Sequence, residues 1–113
     1  MKIFISLIII FIFIGCAKPP LKEFLDAKNL LDTAVNKGAK IYAREEYKKA
    51  YNLIKSSESE INSKDYKEAL KTINKAKIKL EEVVILAQKN KERLREDISK
   101  HIDDNILLFY EID

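Results

Sequence analysis

Small and apolar residues in the middle of the chain recur at helical spacing. From residue 43 to residue 62 they alternate at steps of four and three: Ala43, Tyr47, Ala50, Ile54, Ser57 and Ile61. The same alternation returns further on in Tyr66, Ala69, Ile73, Ala76, Leu80, Val83 and Ala87. This spacing keeps the residues on one side of a helix, where they can face a partner helix. It predicts two antiparallel helices, over 43–62 and 65–103.

A third apolar pattern precedes these two. It begins just after Pro20 and consists of Leu21, Phe24, Leu25, Leu31, Ala34 and Val35. Gly38 then marks a helix end, because glycine adopts the left-handed cap conformation without a Cβ clash. The pattern predicts a helix over 21–37. The fold class is therefore all-α: an antiparallel helical hairpin or three-helix coiled-coil-like bundle over residues 21–104, with one long C-terminal helix and a tail over 105–113.

The second and third predicted helices resemble each other at an offset of 19 residues. Tyr47 matches Tyr66, Ala50 matches Ala69, Ile54 matches Ile73, and Ser57 matches Ala76. A tetratricopeptide unit has a similar rhythm, but repeat proteins need about three units to bury a continuous core. The chain has room for one such pair, so an isolated hairpin is the favoured interpretation.

The N-terminus has the layout of a secretory signal peptide. Lys2 is followed by an apolar run from Ile3 to Ile14, then by Gly15 and Cys16, the only cysteine. The sequence Phe13-Ile14-Gly15-Cys16 resembles a bacterial lipobox, after which the signal is removed and the cysteine carries lipid. The run is too short for a comfortable membrane span, which needs about 20 apolar residues. We therefore expect a signal peptide over 1–15 and a lipid, such as palmitate, on Cys16.

The lipidated Cys16 is followed by a short segment, residues 17–20, that is expected to act as a tether. Pro19 and Pro20 favour extended backbone, and four residues reach at most about 13 Å. The folded part would then begin close to a membrane. The expected location is the bacterial cell envelope, on the periplasmic side of the outer membrane where the organism has one, because the residue after Cys16 is not aspartate.

Charge narrows the classes of partner. The formal net charge is +3, and removal of Lys2 with the signal leaves a balance too mild to indicate nucleic acid. The distribution is uneven: the segment 64–79 is basic, whereas 101–113 contains four acidic residues and no Lys or Arg. Differently solvated helix faces are the simplest explanation. An anionic lipid or cell-wall polymer on the basic segment is the alternative.

Catalytic chemistry has little support. The sequence has no nucleophile–base pair, no phosphate-binding glycine loop and no paired catalytic carboxylates, so we expect neither an enzyme, nor a cofactor, nor a small-molecule substrate. His101, with Asp97 and Asp104 on the same helical face, could form a weak metal site, but a solvated surface is favoured. An aromatic binding surface could be formed by Tyr42, Tyr47, Tyr51 and Tyr66. Tyr47 and Tyr66 are better explained as packing residues, whereas Tyr42 and Tyr51 fall outside that pattern and remain open.

The unequal lengths of the predicted helices suggest where a partner binds. The second spans about 30 Å and the third about 58 Å, so the third is expected to have no neighbouring helix once it passes Val84. Unpaired apolar residues there are normally covered by another chain or a second copy. The predicted interface comprises Val83, Val84, Leu86, Leu94, Ile98, Ile102, Ile106 and Phe109. The alternative is an anionic-ligand face made by Lys64, Lys67, Lys71, Lys75 and Lys79.

Two short motifs carry a resemblance to a known family. The segment Gly38-Ala39-Lys40-Ile41-Tyr42-Ala43, followed by Asp65-Tyr66 and Ala69, resembles a domain of unknown function in small helical envelope lipoproteins of bacteria. The likeness covers about residues 24 to 90, with Arg44 where that family usually has proline. It implies an envelope location and a helical hairpin, and it brings no catalytic residues.

Overall fold

The structure is a computed structural model that describes the backbone of residues 18–112 and the side chains of residues 18–107. This part of the chain is helical: α1 is Leu21–Asn36, α2 is Ala39–Tyr42, α3 is Arg44–Asn62 and α4 is Tyr66–Ile112. The predicted all-α class is confirmed. The signal peptide, Cys16 and the first residue of the tether lie outside the described residues.

Helices α1, α3 and α4 form a three-helix bundle. A three-residue turn, residues 63–65, joins α3 to α4 and makes them antiparallel, and these two helices share the largest interface. Helix α1 runs back along α3, since Asp32 near its end lies close enough to Tyr47 to raise the pKa of that phenol. Helix α1 is therefore parallel to α4, and its C-terminal end lies beside Gln88 and Lys91.

The core of the bundle is made chiefly of alanines with a few larger residues. The largest fully buried side chains are Ile73, Leu80, Val83 and Ser57. The buried alanines are Ala27, Ala34, Ala39, Ala43, Ala50, Ala69, Ala76 and Ala87. Small side chains let helix backbones approach closely and leave room for the larger residues of the neighbouring helix. The Ser57 hydroxyl is also satisfied, because it donates to the Ile54 carbonyl oxygen at 2.7 Å.

The predicted packing faces of α3 and α4 are confirmed in detail. Every position from Ala69 to Ala87 in the predicted series on α4 is fully buried, and the matched pair Ile54 and Ile73 is also buried. The face predicted for α1 is only partly right. Leu21 and Leu25 are each 58% exposed, whereas Ala27 and Ala34 are fully buried. The other predicted residues of this face, Phe24, Leu31, Ala34 and Val35, are buried or half-buried as predicted, whereas the buried Ala27 was not predicted.

Helix α4 is longer than predicted, and the other helices cover it further along its length than predicted. It passes the predicted end at residue 103 and continues to Ile112, so residues 105–112 belong to the helix. The predicted loss of neighbours after Val84 is wrong, because α2 and the end of α1 extend the bundle along α4. Ala87 is still fully buried, and Asn90 bonds to α2. The bundle ends at about residue 90.

Two residues in the left-handed backbone region end the helices. Gly38 has φ 87° and separates α1 from α2, as its position predicted. A Cβ atom there would stand 2.8 Å from the Tyr42 ring, so only glycine fits without a shift. Lys64 has φ 62° at the end of α3. Its N–H bonds to the Ile61 carbonyl and that of Asp65 to the Glu60 carbonyl, the bond pattern of a Schellman motif.

Candidate partner-binding face of the long helix

The last part of α4, residues 91–112, extends beyond the bundle and is called the arm. Every arm residue whose side chain is described, from 91 to 107, is exposed. Four large apolar residues recur along it at steps of four. Their exposed fractions are close to one half: Leu94 47%, Ile98 50%, Ile102 52% and Ile106 48%. We call these four residues the arm stripe.

The arm stripe continues the packed face of the bundle. Leu80, Val83 and Ala87 are fully buried against the other helices, and Leu94 follows Ala87 after seven residues, one heptad further on. Steps of four residues advance the stripe by about 40° per step around the helix. The same side of α4 that packs in the bundle therefore emerges from it as an apolar surface that rotates slowly along the arm.

Only part of the predicted interface lies on this surface. Val83 is fully buried and is therefore a core residue, which cannot contact a partner while the bundle is folded. Val84 and Leu86 are half-buried against the core. Leu94, Ile98, Ile102 and Ile106 are exposed together, as the interface requires. The side chain of Phe109 lies outside the described residues.

Charges along the arm are arranged in two blocks. The first block, residues 89–100, begins two residues before the arm and has a net charge of +2, because it contains three acidic residues and five basic ones, Lys89, Lys91, Arg93, Arg95 and Lys100. Residues 101–113 contain Asp103, Asp104, Glu111 and Asp113 and no Lys or Arg. The arm stripe thus crosses from a basic block to an acidic block. This arrangement favours a partner helix that is acidic beside the basic block and basic beside the acidic block, because opposite charges then face each other.

The alternative lysine face is partly neutralised by ion pairs. Lys79 is only 26% exposed and contacts both Glu46 of α3 and Glu82. Lys71 pairs with Glu68 at 3.4 Å. Lys64 belongs to the turn, and Lys67 and Lys75 are exposed on α4. The five lysines therefore do not form one free cationic surface.

The pair of Lys79 and Glu46 joins α4 to α3 across the bundle. The hydrogen bond from Lys79 lowers the pKa of the Glu46 carboxyl below its usual 4.5, and Lys49 adds to the effect. The same hydrogen bond raises the pKa of Lys79 above its usual 10.5. Both groups are charged at neutral pH, so this lysine serves the bundle and is not available for a ligand.

A basic and aromatic groove at the start of α3 was missed in the sequence. Lys40, Arg44, Tyr47, Lys48 and Tyr51 line a concavity of about 330 Å³. The repetition of basic residues and of tyrosines at steps of four residues was its signal in the sequence. Burial raises the pKa of the Tyr47 phenol, with smaller contributions from the Tyr51 and Asp32 charges.

No metal-binding cluster forms around His101 among the described residues. His101 is exposed, and the described side chains of residues 18–107 include no group of three or more His, Cys, Asp or Glu that could hold a metal ion. Within the same residues, no helix combines the length and apolar character needed to cross a membrane.

Comparisons with known protein families, with curated proteins and with solved structures give no match to this chain. The resemblance to envelope lipoproteins therefore stays a prediction made from the two short motifs.

Proposed function

We propose that this protein is a lipid-anchored adaptor of the bacterial cell envelope that binds another protein through the arm stripe. The observation that carries the proposal is the row of half-exposed Leu94, Ile98, Ile102 and Ile106 on a helix with no described neighbour. Burial of large apolar side chains is the main favourable term in protein association. A row with a spacing of four residues fits the groove or stripe of another amphipathic helix.

The topology supports a role in reaching away from a membrane. The tether enters α1 at Leu21, and α1 is parallel to α4, so the tether and the turn at residues 63–65 lie at the same end of the bundle. From Tyr66, the arm stripe begins about 42 Å and ends about 60 Å along the helix axis. With lipid on Cys16, the bundle would act as a stalk that presents the stripe well above the membrane surface.

Charge order favours another protein over a second copy as the partner. Two copies anchored in one membrane would both point their arms away from it, and parallel pairing would place each basic block beside its own equivalent. Like charges side by side oppose association. The preferred partner is an amphipathic helix that is acidic opposite residues 89–100 and basic opposite residues 101–113. A second copy in the same membrane does not meet this description.

An anionic polymer or lipid on the lysine face is the weaker alternative. Its support is limited to Lys67 and Lys75, which are exposed, and Lys64 in the turn. The two candidate functions differ in their response to salt. Contacts between exposed charges weaken as the Debye length falls to about 3 Å at 1 M salt, whereas apolar contacts persist.

Lipid attachment is tested by labelling cells with a fatty acid analogue that can be detected chemically. The native chain should be labelled, and Cys16→Ser should not be. Lys18→Ser, two residues away, is the control and should be labelled like the native chain. Equal labelling of the Cys16→Ser variant would contradict the anchor without bearing on the arm stripe.

Partner binding is tested by site-specific photocrosslinking in intact cells. A photoreactive amino acid at position 98 or 102 should crosslink to a distinct protein, whereas the same group at Ile78, which is exposed on the bundle part of α4, should not. Crosslinks at position 102 should persist in 1 M salt and disappear in the Leu94→Gln, Ile98→Gln double variant. A matched control is Ile78→Gln, Ile85→Gln, which changes side chains that are 60% and 66% exposed.

Equal crosslinking from the bundle and arm positions, or full crosslinking in the arm variant, would overturn the adaptor proposal. A crosslink only between copies of this chain would replace the protein partner with self-association.

A further inference from the structure

The groove at the start of α3 combines an aromatic floor with a cationic rim. The rings of Tyr47 and Tyr51 are stacked, with centroids 6.4 Å apart and planes inclined by 30°. The Lys40 ammonium lies 5.9 Å from the Tyr47 ring centre. The Lys55 ammonium, which lies outside the groove and pairs with Glu58 at 3.5 Å, is 5.7 Å from the ring centre of Tyr51. Two cations therefore stand over the tyrosine pair, close enough for cation–π attraction.

The rim cations are free to bind an anion. Lys40, Arg44 and Lys48 form no ion pair with any described residue, and the residues that line the groove include no acid. One carboxylate, that of Asp32, lies near enough to contribute to the raised pKa of Tyr47, and three cations outnumber it. The neighbouring Glu46 carboxylate is directed to Lys49 and Lys79. Three adjacent positive groups repel one another, and a bound anion would relieve that repulsion. Arginine adds two parallel donors that suit a phosphate or carboxylate.

We propose that this groove binds a small anionic group, a phosphate or a carboxylate, attached to a ring. The anion would draw the Lys40 ammonium away from the Tyr47 ring and contact it together with Arg44 and Lys48, and the ligand ring would then pack on Tyr47 and Tyr51. The volume of about 330 Å³ accommodates one such unit. Tyrosine suits this role because its ring offers a large flat contact and its hydroxyl remains polar.

The position of the groove bears on the source of the ligand. Along α3, the groove lies between about 16 and 27 Å from the end at Asn62, which is the end of the bundle where the tether enters. With lipid on Cys16, as the proposed function has it, a head group of the anchoring membrane would not reach the groove from an upright bundle. The ligand is therefore a soluble molecule or a polymer unit, and a lipid phosphate is the alternative source that the experiment separates.

The test uses the full chain in detergent, labelled with 3-fluorotyrosine and observed by fluorine NMR. The probe is phenyl phosphate, which joins a ring to a phosphate, and it is compared with inorganic phosphate and with phenol. The signals of Tyr47 and Tyr51, assigned by Tyr→Phe substitution, should shift with phenyl phosphate and less with either fragment. The signal of Tyr66, at the opposite end of the bundle, should stay unchanged.

Matched triple variants localise the effect. Lys40→Gln, Arg44→Gln, Lys48→Gln should weaken phenyl phosphate binding by about tenfold or more, because charge-assisted hydrogen bonds are lost. Lys67→Gln, Lys71→Gln, Lys75→Gln removes the same charge elsewhere and should leave binding unchanged. If circular dichroism shows that the first variant has lost its helices, Arg44→Gln alone is used and should weaken binding severalfold.

Three results would overturn the proposal: no shift of Tyr47 and Tyr51, an equal shift of Tyr66, or equal weakening by both triple variants. Vesicles of phosphatidylglycerol form a separate arm. Shifts produced by the vesicles, with none from phenyl phosphate, would assign the groove to lipid and refute the soluble ligand. None of these outcomes depends on the arm stripe.

Discussion

Asn90 of α4 donates a hydrogen bond from its side-chain Nδ2 to the backbone carbonyl of Tyr42, at 2.7 Å. The two residues are 48 positions apart, and Tyr42 is the last residue of the short helix α2. Carbonyl groups at a helix end have no partner within the helix. Asn90 supplies one for Tyr42 and fixes α2 against α4 at the place where the bundle ends and the arm begins.

Removing this bond should loosen that end of the bundle. We expect Asn90→Ala to lower the free energy of unfolding by about 1 kcal/mol, since one partner of a partly buried hydrogen bond is lost. Gln88→Ala, on an exposed position two residues earlier, should have no measurable destabilising effect. Thermal and urea unfolding followed by circular dichroism measure both. Equal stability of the two variants would show that the Asn90 bond contributes nothing.

The turn between α3 and α4 can be stabilised. Lys64 has φ 62°, a conformation that costs a residue with a Cβ atom about 1 kcal/mol or more relative to glycine. Lys64→Gly should raise the free energy of unfolding by about 0.5 to 1 kcal/mol, after the larger chain entropy of unfolded glycine is deducted. The converse change, Gly38→Ala, should destabilise because its Cβ would meet the Tyr42 ring. A lower melting temperature for Lys64→Gly would contradict this account.

Two isoleucines of α4 separate the roles of the bundle and the arm. Ile73 is fully buried and Ile98 is 50% exposed. Ile73→Asp places a charge in the core and should cost several kcal/mol, enough to unfold a bundle of this size. Ile98→Asp should leave the melting temperature nearly unchanged and abolish the arm crosslinks. A large loss of stability in Ile98→Asp would mean that the arm folds back onto other residues.

The pair of Glu46 and Lys79 should give stability a pH dependence at both extremes. The pKa of Glu46 is lowered from its usual 4.5, so the stabilisation is present above pH 4.5 and is lost as pH falls through the lowered value. The pKa of Lys79 is raised from its usual 10.5, so the stabilisation is lost only as pH rises through the raised value. Between these limits the contribution is constant.

The measurement is the difference in melting temperature between the native chain and Glu46→Gln across the pH range. We expect a plateau from about pH 5 to about pH 10 and a smaller difference on either side. Glu45→Gln, at the neighbouring exposed position, is the control and should show no such plateau. A difference independent of pH would mean that Glu46 stabilises the bundle by packing and not by its charge.

The regular spacing of residues along the sequence determined much of this fold by itself. The series from Ala69 to Ala87 is buried as predicted, because a three-and-four alternation can place small and apolar residues on only one side of a helix. Gly38 ends α1 because its backbone conformation excludes a side chain. The exposed arm residues Leu94, Ile98, Ile102 and Ile106 also followed from helix length alone. These features depend on local geometry, which neighbouring residues encode directly.

What the tertiary structure decided depends on contacts between residues far apart in the chain. Leu21 and Leu25 are exposed, although their spacing suited the core, because α1 instead turns Phe24, Ala27, Leu31 and Ala34 towards the other helices. Val83 was predicted to lie in the partner interface but is a core residue, because α1 and α2 cover α4 as far as Asn90. Lys79, predicted to belong to the lysine face, forms an ion pair with Glu46 of α3. Lys40 of α2 lines the same groove as Arg44 and Lys48 of α3, beside Tyr47 and Tyr51. Spacing along one helix sets which residues share a face, but only the packing of the other helices sets which part of that face is covered.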